Sequence, residues 1–243
     1  MLRALFRVLA VAATLFFTQA APAIADDSAA ALAELRSAVD VATRASAQRW
    51  AFTLEYRDVS GSDARVFRVR FDPRKPAGAR WSAIEPRADQ YGAEEKKAFK
   101  RMTANDDADD ALVYEGLAQS LSGAKVVSVN AAQAVFSIPI ADPETPAAVA
   151  EALTAQATLD RKGGHVAAVE IRSIKPFKPA SVAKIKSMRQ LQVYRPIAPG
   201  GPVLMHASEA DAEGSAMFKA FASKARLAYS EYEAVDAGPR AVK

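Results

Sequence analysis

Large apolar and polar side chains alternate with a period of two through most of this sequence, which leaves little room for a helical fold. Trp50, Phe52, Leu54 and Tyr56 alternate with Ala51, Thr53, Glu55 and Arg57. After the turn Ser60-Gly61-Ser62-Asp63, Phe67, Val69 and Phe71 alternate with Val66, Arg68 and Arg70. Successive side chains of a strand point to opposite faces, so each run predicts a strand with one face in a core. Asp72-Pro73 ends the second run, and Ala79 to Ile84, with Trp81 inside, predicts the third strand of an antiparallel meander.

Further strands are predicted at Lys125 to Asn130 and Ala134 to Ile140, then at Leu153 to Asp160 and His165 to Ile174 across the short loop Arg161-Lys162-Gly163-Gly164. Val182 to Arg195, Val203 to Lys219 and Ala222 to Glu233 follow, the last two separated from the first by Ala198-Pro199-Gly200-Gly201-Pro202. Ser215 to Tyr232 holds enough Ala for a helix. The alternation of Leu227, Tyr229 and Glu231 with Arg226, Ala228 and Ser230 favours strand. Helices are predicted from Ser28, a plausible N-cap, to Gln48, with an apolar stripe of Leu32, Leu35, Val39 and Val41-Ala42. Two more are predicted at Glu94 to Met102 and Ala111 to Leu121, and a helical turn at Pro146 to Ala152. Long antiparallel strands need one face covered, and a flat open sheet this wide curls. The expected class is mainly β (α+β), a strongly curved antiparallel half-barrel of about eleven strands with an N-terminal helix and short plug helices.

The N-terminus follows other rules. Arg3 and Arg7 precede an apolar run from Val8 to Phe17, and Ala23-Ile24-Ala25 precedes Asp26-Asp27. A basic start, a short apolar run and a small-x-small site predict a secretory signal peptide over residues 1–25, cleaved after Ala25. A membrane anchor needs roughly 20 apolar residues, more than this run holds. Residues 26–235 are expected to form one domain and 236–243 a frayed tail. The expected destination is the periplasm, with no stable membrane span. Of 243 residues none is Cys and two are His, so a disulfide scaffold and any thiolate-ligated metal are excluded.

The order of these pieces resembles the LolA-like superfamily of periplasmic lipoprotein carriers. The resemblance is architectural and covers nearly all of the chain after the leader. It is carried by Trp50 to Arg57, Phe67 to Phe71, the helical insert after Trp81, and the closing Tyr229-Ser230-Glu231-Tyr232. It implies an incomplete barrel of about eleven strands plugged by helices, whose concave cavity takes acyl chains.

The aromatic face of the first three strands is the candidate site. Trp50, Phe52, Leu54, Tyr56, Phe67, Val69, Phe71 and Trp81 would line it, with Ile171, Leu191, Val193 and Leu227 on the matching inner face. Alternation alone fits either a ligand cavity or a dry core under the N-terminal helix. In the cavity reading, the insert Glu94 to Leu121 moves to admit a ligand. The run Asp106-Asp107-Ala108-Asp109-Asp110 lacks the Gly and the later Glu of a calcium loop, so a solvated loop capping the next helix is expected. Lys175 to Arg195 is rich in Lys and Arg and suits anionic lipid headgroups, an acidic partner or a solvated strand face protected against edge pairing. His165 follows a turn Gly and is expected to be exposed, and His206 lies in a strand. Neither belongs to a paired metal motif, and there is no nucleophile elbow or phosphate loop.

The sequence reading is therefore a non-enzymatic carrier of a lipid or lipoprotein acyl chain, with no metal, no cofactor and no nucleic-acid partner. The alternative is an envelope interaction or scaffold module with a filled core and a protein partner.

Overall fold

The computed structural model describes residues 21–45, 47–60, 65–140, 145–217 and 219–236. The leader expected over residues 1–25 and the tail expected over 236–243 both fall mostly outside the described residues. Helix α1 (Ala21–Ala45) is longer at its start than the sequence pattern predicts. Its buried residues are Ala31, Leu35, Ala38, Val39 and Ala42, one helical stripe. Val41, expected in that stripe, is exposed, because it falls outside this arc. Arg161 forks onto Glu34 at 2.9 and 3.0 Å and meets Asp27 at 3.0 Å, which ties α1 to the turn between two strands.

Among the described residues, eleven strands form one antiparallel sheet: β1 (Arg49–Asp58), β2 (Arg65–Phe71), β3 (Trp81–Glu85), β4 (Lys125–Val129), β5 (Gln133–Ile138), β6 (Leu153–Asp160), β7 (His165–Ser173), β8 (Phe177–Ala180), β9 (Ala183–Pro196), β10 (Val203–Ala216) and β11 (Lys219–Val235). The spatial order is β3-β2-β1-β11-β10-β9-β7-β6-β5-β4, with β8 beside β9. The sheet is not closed, since β3 and β4 stand at its two ends. The first strand therefore pairs with the last, from Arg49↔Val235 to Asp58↔Ala225.

That ladder carries an irregularity. Opposite Phe52 alone, β11 holds two residues, Glu231 and Tyr232, and Glu231 has φ 53°. This bulge turns Glu231 away from the face that alternation assigns it. Glu231 accepts from the Thr53 hydroxyl at 2.6 Å and from Arg68 at 2.6 Å. Tyr229 and Tyr232 both reach the Phe52 ring, at 5.6 and 6.4 Å between centroids. Bulges re-aim side chains in this way.

One buried cluster joins residues from both ends of the strand order: Phe52, Phe67, Val69 and Phe71 from β1 and β2, and Ala134, Phe136, Ile138, Ala157 and Leu159 from β5 and β6. The opposite face carries ion pairs: Arg68–Glu231, Arg70–Glu233, Arg189 with Glu170 and Glu209, and Arg226–Asp211. Between β3 and β4 lies the insert. Helix α2 (Ala93–Met102) appears as the sequence predicts. The second predicted helix is replaced by two 3₁₀ segments, Ala108–Leu112 and Glu115–Gly123. A short helix α3 (Ala147–Ala150) precedes β6. Among the described residues, no helix is long and apolar enough to cross a membrane.

Candidate functional site

A cavity of about 620 Å³ opens where α2 and residues 105–108 face β1, β3 and β11. Its floor is apolar: Phe52, Leu54, Tyr56, Trp81, Leu227 and Tyr229. Register explains why these meet. Tyr56 stands opposite Leu227 and Leu54 opposite Tyr229, so all four project from one face of the β1–β11 pair. Trp81 closes one wall, edge-on to Phe52 at 5.8 Å, and its indole N–H donates to the Asn105 carbonyl at 2.8 Å. Ala98 of α2 forms the roof.

The rim is polar. Asp58, Ser60, Arg65, Arg101, Asn105 and Ser223 surround the opening. Arg65 is paired with Asp58 at 2.7 Å. Arg101 makes no ion pair with a described residue. Burial raises the Tyr56 phenol above its ordinary pKa; the Asp58 charge adds to this, and Arg65 and Arg101 oppose it. Tyr229 is pushed up to about 12 by burial alone. Both phenols are therefore neutral at ordinary pH, and the positive charge of the rim comes from guanidinium groups.

Of the predicted site residues, Phe52, Leu54, Tyr56, Trp81 and Leu227 line this cavity. Trp50, Phe67, Val69 and Phe71 are buried in the cluster behind it, where Phe71 stacks on Phe52 at 5.2 Å. Ile171 packs against the same cluster from β7. Leu191 and Val193 do not share the inner face. Leu191 lies opposite Glu170 and Glu209, and Val193 opposite Ala168 and Ala207. Tyr194, buried on the inner side, decides the parity of β9 and sends its neighbours outward. Tyr229 also lines the cavity, although alternation alone does not single it out.

The acidic run is not a solvated cap. The 3₁₀ segment Ala108–Leu112 begins inside the run and has no side-chain cap bond. Asp109 is instead buried and accepts from Arg49 Nε at 2.6 Å, Arg49 Nη2 at 3.1 Å and the Trp50 amide at 3.3 Å. Hydrogen bonding to Asp109 raises the Arg49 pKa further above its usual value, against the opposing effect of burial. Asp106 accepts from the Gly78 amide at 2.9 Å, and Arg80 donates to Asp107 at 2.8 Å. The stretch from Asn105 to Asp109 is thus fastened to β1, β3 and the turn before β3. α2 is held by fewer contacts: Phe99 against Tyr91 at 5.4 Å, and Tyr91 against Phe67 at 5.6 Å.

His165 is not exposed; it is 7% accessible. The turn folds back over it, with Gly164 at φ 65° donating to the Asp160 carbonyl, and only the lack of a Cβ at Gly163 leaves room for the ring. His206 is exposed on β10. Among the described residues, no group of three His, Asp or Glu side chains could hold a metal. No protein-family model, no curated protein and no solved structure matches the chain.

Proposed function

We propose that this chain binds the hydrocarbon part of an amphiphile, a lipid or a lipoprotein acyl chain, in the cavity beneath α2. The observation that carries the reading is the cavity itself. Its volume of about 620 Å³ lies within the ~300–1,000 Å³ usual for ligand sites, and an apolar floor opens to a charged rim. An acyl chain on that floor gains about 0.8 kcal/mol for each CH2 removed from water. In this reading the sheet is a half-barrel curved around its helices. A single buried cluster reaching from β2 to β5 supports that shape. α2 is the moving cover, while residues 105–109 stay fastened, so the hinge falls near Thr103. A LolA-like relationship, a cleaved leader and a periplasmic location belong to the same proposal, as does the absence of an enzymatic role.

The fully buried block of Phe52, Phe67 and Phe71 favours the second reading, an envelope interaction module with a filled core. One experiment separates the two. A fluorescent long-chain fatty acid is titrated into the protein and into Ala98→Trp, which fills the roof. Saturable binding that falls at least tenfold in the variant, with melting unchanged, supports the carrier. No uptake by the parent sinks it and leaves the interaction module.

A further inference from the structure

The three longest strands, β9, β10 and β11, run beyond β1, whose pairing with β11 stops at Ala225. Two turns meet at the far end of this extension: the β8–β9 turn at Val182 and the β10–β11 turn at Met217, joined by the Met217 amide donating to the Val182 carbonyl at 2.9 Å. Val182 is 62% and Met217 73% exposed, among the most exposed large apolar side chains described. Around them stand Lys178, Lys184, Lys186 and Lys219, none in an ion pair with a described residue, and segments 177–187 and 214–221 hold no Asp or Glu. The bordering carboxylates are Glu213 and Glu151, and Lys175 meets Glu151 at 3.6 Å. Register puts Lys184, opposite Ser215, and Lys219, opposite Ala216, on different faces, so the charge surrounds the apex.

Protection of a strand edge accounts for part of this at most. Lys219 lies on a stretch of β11 paired with β10 alone and Lys178 on β8, paired with β9 alone, but Lys184 and Lys186 lie on β9, which has β10 on one side and β8 on the other. Nor does edge protection call for two bare apolar residues at the apex.

We infer that this apex docks on an anionic bilayer surface, with Val182 and Met217 entering the headgroup layer and the four lysines meeting lipid phosphates. Charge complementarity and an apolar point ringed by cations favour a lipid surface over the flat, extended contact of a protein partner. The inference does not depend on the cavity.

The absence of Cys from the chain makes the test local. The full chain with Val182→Cys carries an environment-sensitive dye, and Pro199→Cys, in the loop at the other end of β9, carries the same dye as a control. Vesicles of phosphatidylglycerol with phosphatidylcholine are compared with phosphatidylcholine alone. The expected result is a blue shift at 182 only, with anionic vesicles only, weakened by salt. Replacing all four lysines by Gln lowers the affinity by roughly several hundredfold, at about fivefold for each charge. No shift at 182, or an equal shift with neutral vesicles, overturns the inference. A shift with soluble polyglutamate but not with vesicles also overturns it and assigns the apex to an acidic macromolecule.

Discussion

Replacing Asp109 by Ala tests whether the acidic run is a structural clamp. The Asp109 side chain is 0% and that of Arg49 5% exposed, so neither charge is solvated. Deleting one member of a buried pair costs about 3–5 kcal/mol, because the remaining charge is stranded. Asp107 lies 3.7 Å from the same guanidinium and compensates in part, which places the loss near the lower limit, about 3 kcal/mol. For a domain of about 150–250 residues each kcal/mol moves the melting temperature by about 2–4 °C, so a fall of about 6–12 °C is expected. The double variant Arg49→Met with Asp109→Leu strands no charge. It should recover to within about 1–2 kcal/mol of the parent, the rest being the Trp50 amide left without its acceptor. Urea unfolding followed by circular dichroism measures all three proteins. A loss under about 1 kcal/mol in Asp109→Ala, or a double variant no better than the single, refutes the clamp.

Three further outcomes follow from the same geometry. If the cavity holds hydrocarbon, affinity for saturated fatty acids should rise roughly tenfold for every two CH2 groups until the floor is covered, then level off; a flat series in calorimetry contradicts the site. Hydrogen bonds from Arg161, Arg74 and Arg226 hold Glu34, Asp72 and Asp211 below their ordinary pKa, and Thr53 with Arg68 and Arg70 does the same for Glu231. A depressed folded pKa gives stability that is full above the unfolded value, about 4, and is lost as pH falls through the folded one, so melting temperature should hold from pH 8 to 5 and fall below about pH 4. Glu231→Val places a β-branched residue at φ 53° and should cost about 1–3 kcal/mol, whereas Glu231→Gly relieves the backbone; equal melting of the two variants argues against the bulge.

The elements legible in the sequence are those whose partners are local. β1 and β2 carry unbroken alternation and pair with each other, and β6 and β7 flank a short Gly-bearing turn, so pattern and pairing agree. Less legible are features fixed by distant neighbours. The bulge at Glu231 depends on a strand 178 residues away, and Asp109 is buried because Arg49, 60 residues earlier, needs an acceptor. β8 is not legible in the sequence, being four residues with a Pro at 179, a pattern that reads as loop until β9 stands beside it. The cavity floor was half visible. Alternation named Phe52, Leu54, Tyr56, Trp81 and Leu227, but it equally named Phe67 and Phe71, and only the position of α2 separates lining from core.

The pairing of the first strand with the last sets an order of events. β1 to β3 hold six aromatic residues, yet their neighbour β11 is synthesised after all the other described strands. At ~5–20 residues per second, that meander waits about 8–30 s with one edge open. During that interval Phe52 lacks Tyr229 and Tyr232, which later pack against its ring, and a holding chaperone would find it accessible. Closing so long a loop is also slow, since its entropy must be lost before any contact compensates.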